Sequence, residues 1–278
     1  MPIPLKHHFL PRWYLARWEN DGSLREFRRH GPKGELKGLR RSAAATGYRV
    51  GLYTMPGEPL ENAASIETDF LQIIDDRGAR AVRMAEEELI IAGPADKVGL
   101  MQFVISMIHR SPERIDYLHG RLESDLSKLP LFEGEGPDTY RRGALGVFSE
   151  LVQSSRMIDR LMHYSTFVMK LGDGAHKLLT SDSPIMMSHG LFEPDSFIVM
   201  PLSPDRILIL SDDRKIPEYL ARQRPKQLSG AINDAVTAQA KEIVIATDER
   251  QRRFIENRLG RNTAPLDPIS GLVRWQIR

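Results

Sequence analysis

The sequence predicts an α+β fold, on three observations. An extended N-terminal stretch is broken by tight turns, a central run has helical period, and a later run of apolar strands is closed by terminal helices. Helices and strands that fall in separate blocks, without strand–helix–strand alternation, build antiparallel sheets with helices segregated to one face or end.

The opening MPIPLKHHFLPRWYLARW sets the first element. Pro11 removes a ladder donor and biases Leu10 toward extended geometry. WYLARW forms a short helical turn or a strand. Phe9, Leu10, Trp13, Tyr14 and Leu15 lie so close together that this segment is expected to dock on the body. Burying one such side chain stabilises by about 1.5–3 kcal/mol. After the turn Asn20-Asp21-Gly22-Ser23, SLREFRRH alternates like a half-buried strand, and LKGLRR returns as its partner across Gly31-Pro32-Lys33-Gly34. GYRVGLYTMPGEP reads as extended.

From Leu60 the period changes. Ile66, Phe70, Ile73 and Ile74 recur at helical spacing and predict a helix over about 60–77. AVRMAEEELIIAG carries mixed signals. Pro94 suits an early helical position, and 95–109 reads as a buried apolar helix. Ser111-Pro112-Glu113 opens a helix to about Leu126, LPLFEGEGPD is a loop, and one helix runs from about Tyr140 to His163. TFVMKLGDGAHKLLTSDSP then reads as two strands joined at Gly172-Asp173-Gly174. FIVMPLSPDRILILSDD is a second pair turning at Ser203-Pro204-Asp205. A helix over roughly 226–241, the strand EIVIAT and a helix over 248–259 complete the series. One domain over 1–278 is expected, its helical region (about 60–163) and strand region (about 165–247) sharing a core.

Composition narrows the function classes. The chain has 278 residues, 41% of them hydrophobic and 27% charged, and no cysteine. Disulfide scaffolds, thiolate metal sites and cysteine nucleophiles are thereby excluded, and the cytosol is the expected compartment. The longest apolar run, Val98 to Ile108, is too short to span a bilayer, so no membrane role is expected. No signal peptide is read at the start. The net charge of +2 is unevenly spread: residues 1–50 hold eleven Lys/Arg against four Asp/Glu, and 250–278 hold seven against two. Basic ends around an acidic middle point to a face for a polyanion such as nucleic acid, or simply to solvated arginines.

Four residues stand out as candidates for chemistry. In an extended segment His7 and His8 point in opposite directions; His8 is preferred because it adjoins the apolar FLP anchor, the alternative being a histidine bonded to backbone. Asp182 in Thr180-Ser181-Asp182-Ser183-Pro184 follows the apolar strand HKLLT, a place for a catalytic carboxylate or for an Asx-turn. Glu67 borders the apolar face of its helix, and a buried carboxylate there must be paired, protonated or metal-bound. Arg110 closes a buried helix, where it complements the dipole or clamps Glu67 or Asp182. Pro194-Asp195 with Asp213-Arg214-Lys215 imitates a nuclease spacing, but Asp213 and Lys215 fall among charged turn residues. LGDGAH precedes no helix and is no phosphate loop.

In order along the chain, His8, Pro11, Tyr14 and Leu15 form H-x-x-P-x-x-Y-L. Arg110-Ser111-Pro112, Thr180 to Pro184, Pro201-Leu202-Ser203-Pro204 and a late helix with Asn233 follow. This ordered set, over about 7–247, resembles a mainly bacterial family called domain of unknown function 4238. Trp18 stands where that pattern has Phe, and Ser183 where it has Asn. The resemblance implies a single domain and the same choice of residues.

Two functions fit these residues. In the first, the protein is a hydrolase acting on a phosphodiester, nucleotide or nucleic acid. His8 is then ligand or general base, Glu67 and Asp182 hold a divalent metal such as magnesium or manganese, and Arg110 stabilises anionic charge. In the second, the protein is a non-catalytic binding or regulatory module, and the same groups form a network that fastens the N-terminal segment. Solvent access to His8 and Asp182 favours the first, mutual burial the second.

Overall fold

A short strand followed by a proline and a helix is the first described element of the fold. The computed structural model describes residues 6–31, 34–59, 65–87, 93–188, 190–193 and 196–260. Strand β1 (Lys6–His8) ends three residues before Pro11, which precedes helix α1 (Arg12–Ala16). The expected hairpin forms as β2 (Leu24–His30) and β3 (Glu35–Arg41), with the Pro32-Lys33 tip outside the described residues. Strand β4 (Tyr48–Val50) pairs with β1 and sets His8 opposite Tyr48. Just before it, the Gly47 carbonyl accepts from the N–H groups of Phe9 and Leu10. Gly47 has φ +66°, and a Cβ there would lie 2.7 Å from Leu15 Cδ1, so only glycine fits.

The docking expected for the opening segment occurs: Trp13 is half-buried against Phe103, while Phe9, Leu10, Tyr14 and Leu15 are buried, with Trp18 beside them. Their polar ends are satisfied across long sequence distances. Tyr14 Oη donates to the Pro201 carbonyl at 2.8 Å and lies 2.6 Å from Thr180 Oγ1, and Trp18 Nε1 donates to the Leu178 carbonyl at 2.9 Å. Residues 1–5 lie outside the described set.

The helical block opens on a wider turn than the sequence predicts. Ile66–Leu71 is π-helical, the Gln72 N–H reaching back to the Glu67 carbonyl, and α2 (Gln72–Glu86) continues from it. The expected start at 60–64 and the end of AVRMAEEELIIAG lie outside the described residues. Helix α3 (Pro94–His109) packs on α2 with Gly78 against Phe103, where a Cβ would come within 2.5 Å of the ring. Helix α4 (Pro112–Leu126) is capped by Ser111 Oγ, which accepts from the Arg114 N–H. The single helix expected over 140–163 is two: α5 (Pro137–Val152) and α6 (Ser155–Met162). Ser154 caps the second by accepting from the Met157 N–H, so the break is a new start that the apolar period hides.

The strands are β5 (Ser165–Lys170), β6 (Thr180–Ser181), β7 (Met186–Met187), β8 (Phe197–Ser203) and β9 (Arg206–Ser211). Helices α7 (Lys215–Ala221) and α8 (Pro225–Gln239), β10 (Ile243–Ala246) and α9 (Arg252–Glu256) follow. They confirm the α+β class: one sheet runs β3-β2-β10-β6, another β5-β9-β8-β7, and β1-β4 is a separate ribbon, all pairings antiparallel. The hairpin expected at Gly172-Asp173-Gly174 does not form. Strand β5 pairs with β9 and β6 with β10, because the backbone between them is taken elsewhere: Leu178 N–H by the Pro204 carbonyl and Leu179 N–H by Asn233 Oδ1. Strand β8 is buried on both faces. Ile198 and Met200 meet the N-terminal segment and the helical block, while Phe197 and Val199 meet α7 and α8. No helix among the described residues is long and apolar enough to cross a membrane.

Asp182, just after β6, fastens that strand to the entry of β10 within one sheet. Its N–H donates to the Ile243 carbonyl at 3.3 Å. Its Oδ1 accepts from Lys241 N–H at 3.0 Å, and its Oδ2 accepts from Glu242 and Ile243 N–H at 2.5 and 3.2 Å. The side chain is an anchor for the entry to β10. Burial pushes its carboxyl up to about 6, although the three amides favour the charged form. Asp182→Ala would leave three amides without their acceptor, at about 1–3 kcal/mol for each that stays buried. We expect denaturant unfolding to show a loss of roughly 3 kcal/mol or more; a loss below about 1 kcal/mol would contradict the anchoring role.

Candidate functional site

The N-terminal segment does not close fully on the helical block. Between them lies a cleft of about 920 Å³, walled by β1, α1, the Ser42–Ala44 backbone, the π turn and α2. Lys6, His8, Arg12, Trp13, Glu67 and Arg110 all contribute to its lining.

Arg110 fixes this wall. Its side chain is 2% exposed, and Nη1 and Nη2 donate to the two oxygens of Asp75 at 2.6 and 3.1 Å, a bidentate pair. Nη2 also donates to the His8 carbonyl at 2.9 Å, while Nε has no hydrogen-bond partner. Burial opposes the charge, but Asp75 more than offsets it, so the guanidinium holds its proton more tightly than usual. The Arg110 carbonyl accepts from Tyr53 Oη at 2.5 Å, and Tyr53 N–H donates to His7 Nδ1 at 2.7 Å. His7 is the more deeply buried histidine of the pair, stacked on Tyr53 at 5.7 Å between centroids.

Glu67 and His8 meet on the other side of that carbonyl. Glu67 Oε1 accepts from the His8 backbone N–H at 3.0 Å and lies 3.9 Å from His8 Nδ1. One ring nitrogen of His8 donates to the Ala44 backbone, and Nε2 is left without a partner. Burial lowers the His8 pKa to about 4, with Arg12, Arg110 and Lys6 pushing the same way, so the ring is neutral near pH 7 and does not form an ion pair with Glu67. Burial raises the Glu67 carboxyl to about 7, against the His8 N–H and Arg110, and its Oε2 is also unpartnered. The two side chains are 15% and 25% exposed. A neutral imidazole beside a carboxyl that still holds a proton is a base and an acid in one place.

The structure brings His8, Glu67 and Arg110 together and leaves Asp182 apart. The bonds and charges that act on Asp182 come from residues 241–243, and it does not line the cleft. The metal pair expected from Glu67 and Asp182 is therefore not assembled, and no group of three or more His, Asp or Glu side chains among the described residues is placed to hold a metal ion. Arg110 does not make the clamp expected on Glu67 or Asp182; it clamps Asp75 instead. Asp213 accepts from the Lys215 N–H at 2.8 Å at the start of α7, and Pro194-Asp195 lies outside the described residues. Much of the basic excess at the N-terminus is neutralised: Arg17 pairs with Glu86, Arg25 with Glu249, Arg28 with Glu26, and Arg49 with Asp116 and Glu242. Residues 261–278 of the basic C-terminal end lie outside the described set.

Sequence reading missed Asp75, Lys6, Arg12 and Trp13. Asp75 gives the same signal as Glu67, a carboxylate beside an apolar helical position, here Ile74. The other three become site residues only because β1 pairs with β4 and swings α1 across the helical block, a long-range placement without local pattern. Neither a curated protein nor a solved structure matches the chain. The family model described as "Protein of unknown function (DUF4238)" matches residues 6–250, a span that includes every element of the cleft and the Asp182 anchor, and the chain belongs to that family.

Proposed function

We propose that the cleft is the active site of a hydrolase that cleaves a phosphodiester or nucleotide by acid–base catalysis. The observation that carries this reading is that two polar atoms, His8 Nε2 and Glu67 Oε2, have no hydrogen-bond partner among the described residues and belong to side chains that line one cleft. Neutral His8 takes a proton from an attacking water through Nε2. The water oxygen bonds to phosphorus, the ester P–O bond breaks, and Glu67 gives its proton to the leaving oxygen. Imidazolium and carboxylate remain and reset by proton exchange with solvent. The charged Arg110 holds the His8 carbonyl and keeps the base in place. A cysteine-free chain suits the bacterial cytosol, where we place this reaction.

A second reading has its own support. Arg110, Asp75, Glu67 and the His8 backbone fasten β1 to the helical block, and Asp182 is a closed anchor, as in a non-catalytic binding or regulatory module. A panel of nuclease, phosphodiesterase and phosphatase substrates separates the two. Under the hydrolase reading Glu67→Gln lowers turnover at least about 100-fold while leaving the fold intact. Turnover undiminished in this variant, or absent from wild type across the panel, supports the module.

The same substitution has a signed effect on stability. The folded-state pKa of Glu67 lies above its ordinary 4.5, so between that value and about 7 the folded chain holds a proton that the unfolded chain has released. Stability from this group falls as pH rises through that window. Thermal melts should therefore show Glu67→Gln gaining on wild type between pH 5 and pH 8; a gap that stays constant or reverses contradicts the raised carboxyl.

Activity needs His8 unprotonated and Glu67 protonated, with Lys6, Arg12, Arg110, Asp75, Asp76 and Glu19 as the charged groups facing them. The rate should be bell-shaped, rising through about 4 and falling through about 7. A rate that climbs steadily to pH 9 would assign the chemistry to another group.

A further inference from the structure

Most arginines of the N-terminal region have acidic or carbonyl partners; two cations on the cleft do not. Arg12 makes no hydrogen bond or ion pair among the described residues, and Lys6 is engaged only with the Tyr48 ring, 4.9 Å from its centroid. Both are exposed, so nothing in the fold requires them. Both line the cleft that His8 and Arg110 line, and each pushes the His8 ring toward its neutral form, as does Arg110. Arg110 itself is 98% buried, by its 2% exposure, and keeps one N–H, at Nε, without an acceptor. The carboxylates on the same lining are mostly engaged: Asp75 by Arg110, and Glu19 by the Ala43 N–H at 2.6 Å. Asp76 remains as an opposing charge, joined by Glu67 above about pH 7.

We propose that Lys6, Arg12 and Arg110 form an anion subsite that receives the phosphate of a nucleotide-sized small molecule, next to His8 and Glu67. The size follows from the cleft: about 920 Å³ falls within the range of pockets that enclose small ligands. A polymer groove would instead extend the basic surface beyond the cleft, and the neighbouring arginines are already paired. The phosphate identity rests on the hydrolase reading above; the anion subsite itself rests on two unpaired cations, Lys6 and Arg12, and the Nε–H that the paired Arg110 keeps free, all on one cleft.

Calorimetric titration of the full chain with adenosine monophosphate and with inorganic phosphate tests this. Saturable binding of the nucleotide is expected, tighter than that of phosphate because the rest of the cleft adds contacts. Arg12→Ala should weaken it about tenfold or more, Lys6→Ala should also weaken it, and Asp76→Asn should tighten it. These positions are at the surface of the cleft, so the variants fold. No binding of either probe, or binding that Arg12→Ala leaves unchanged, overturns the subsite. Phosphate binding as tightly as the nucleotide overturns the nucleotide-sized ligand. Glu67→Gln should still bind: binding with no hydrolysis by wild type would refute the hydrolase and leave the subsite standing.

Discussion

The buried ion pair between Arg110 and Asp75 is the constraint on which the rest of the site depends. A guanidinium taken almost wholly out of water is costly unless its donors are matched. Here two go to Asp75 and one to the His8 carbonyl. That third bond is what turns a helix-to-helix ion pair into a device for placing the N-terminal strand. With His8 held by its carbonyl on one side and by Glu67 through its N–H on the other, β1 has one position, and α1 follows from it across the helical block.

The network and the cleft are consequences of the same arrangement rather than rival descriptions of it. The bonds that fasten β1 use the His8 backbone, and the ring spends one nitrogen on the Ala44 backbone, which leaves Nε2 without a partner among the described residues. Glu67 likewise uses Oε1 to hold the strand and keeps Oε2 without a partner. The burial that makes the network rigid also displaces both ionisations, lowering His8 and raising Glu67. The π turn contributes by widening the start of the helix just where Glu67 sits, and such wide turns occur frequently at functional sites. Asp182 is the contrast: every carboxylate oxygen is bonded to an amide, and nothing is left over.

Much of the fold was legible because it is written locally. Proline starts mark α3, α4 and α8, Ser111 caps α4, and apolar runs mark β8, β9 and β10. What misled was also local. Gly172-Asp173-Gly174 has the composition of a hairpin turn, but the strands on either side are claimed by β9 and β10, which lie far along the chain. His8, Glu67 and Arg110 were legible as polar residues on the margins of apolar elements. Their grouping without Asp182 was not, because margin position says that a group needs a partner and not which one. Asp75 and Arg12 show the limit most clearly: one looks like any boundary carboxylate, the other like any surface arginine, and only tertiary placement separates them from the rest.

Glu67 is a carboxyl whose burial beside the docked N-terminal strand raises its hold on its proton toward neutrality. Carbon-13 NMR titration of the Glu67 carboxyl in the intact protein measures this directly. The account predicts a midpoint of about 7, well above the ordinary 4.5. A midpoint at the ordinary value would mean that the carboxyl is solvated, that the cleft wall is not as described, and that no acid is held beside His8.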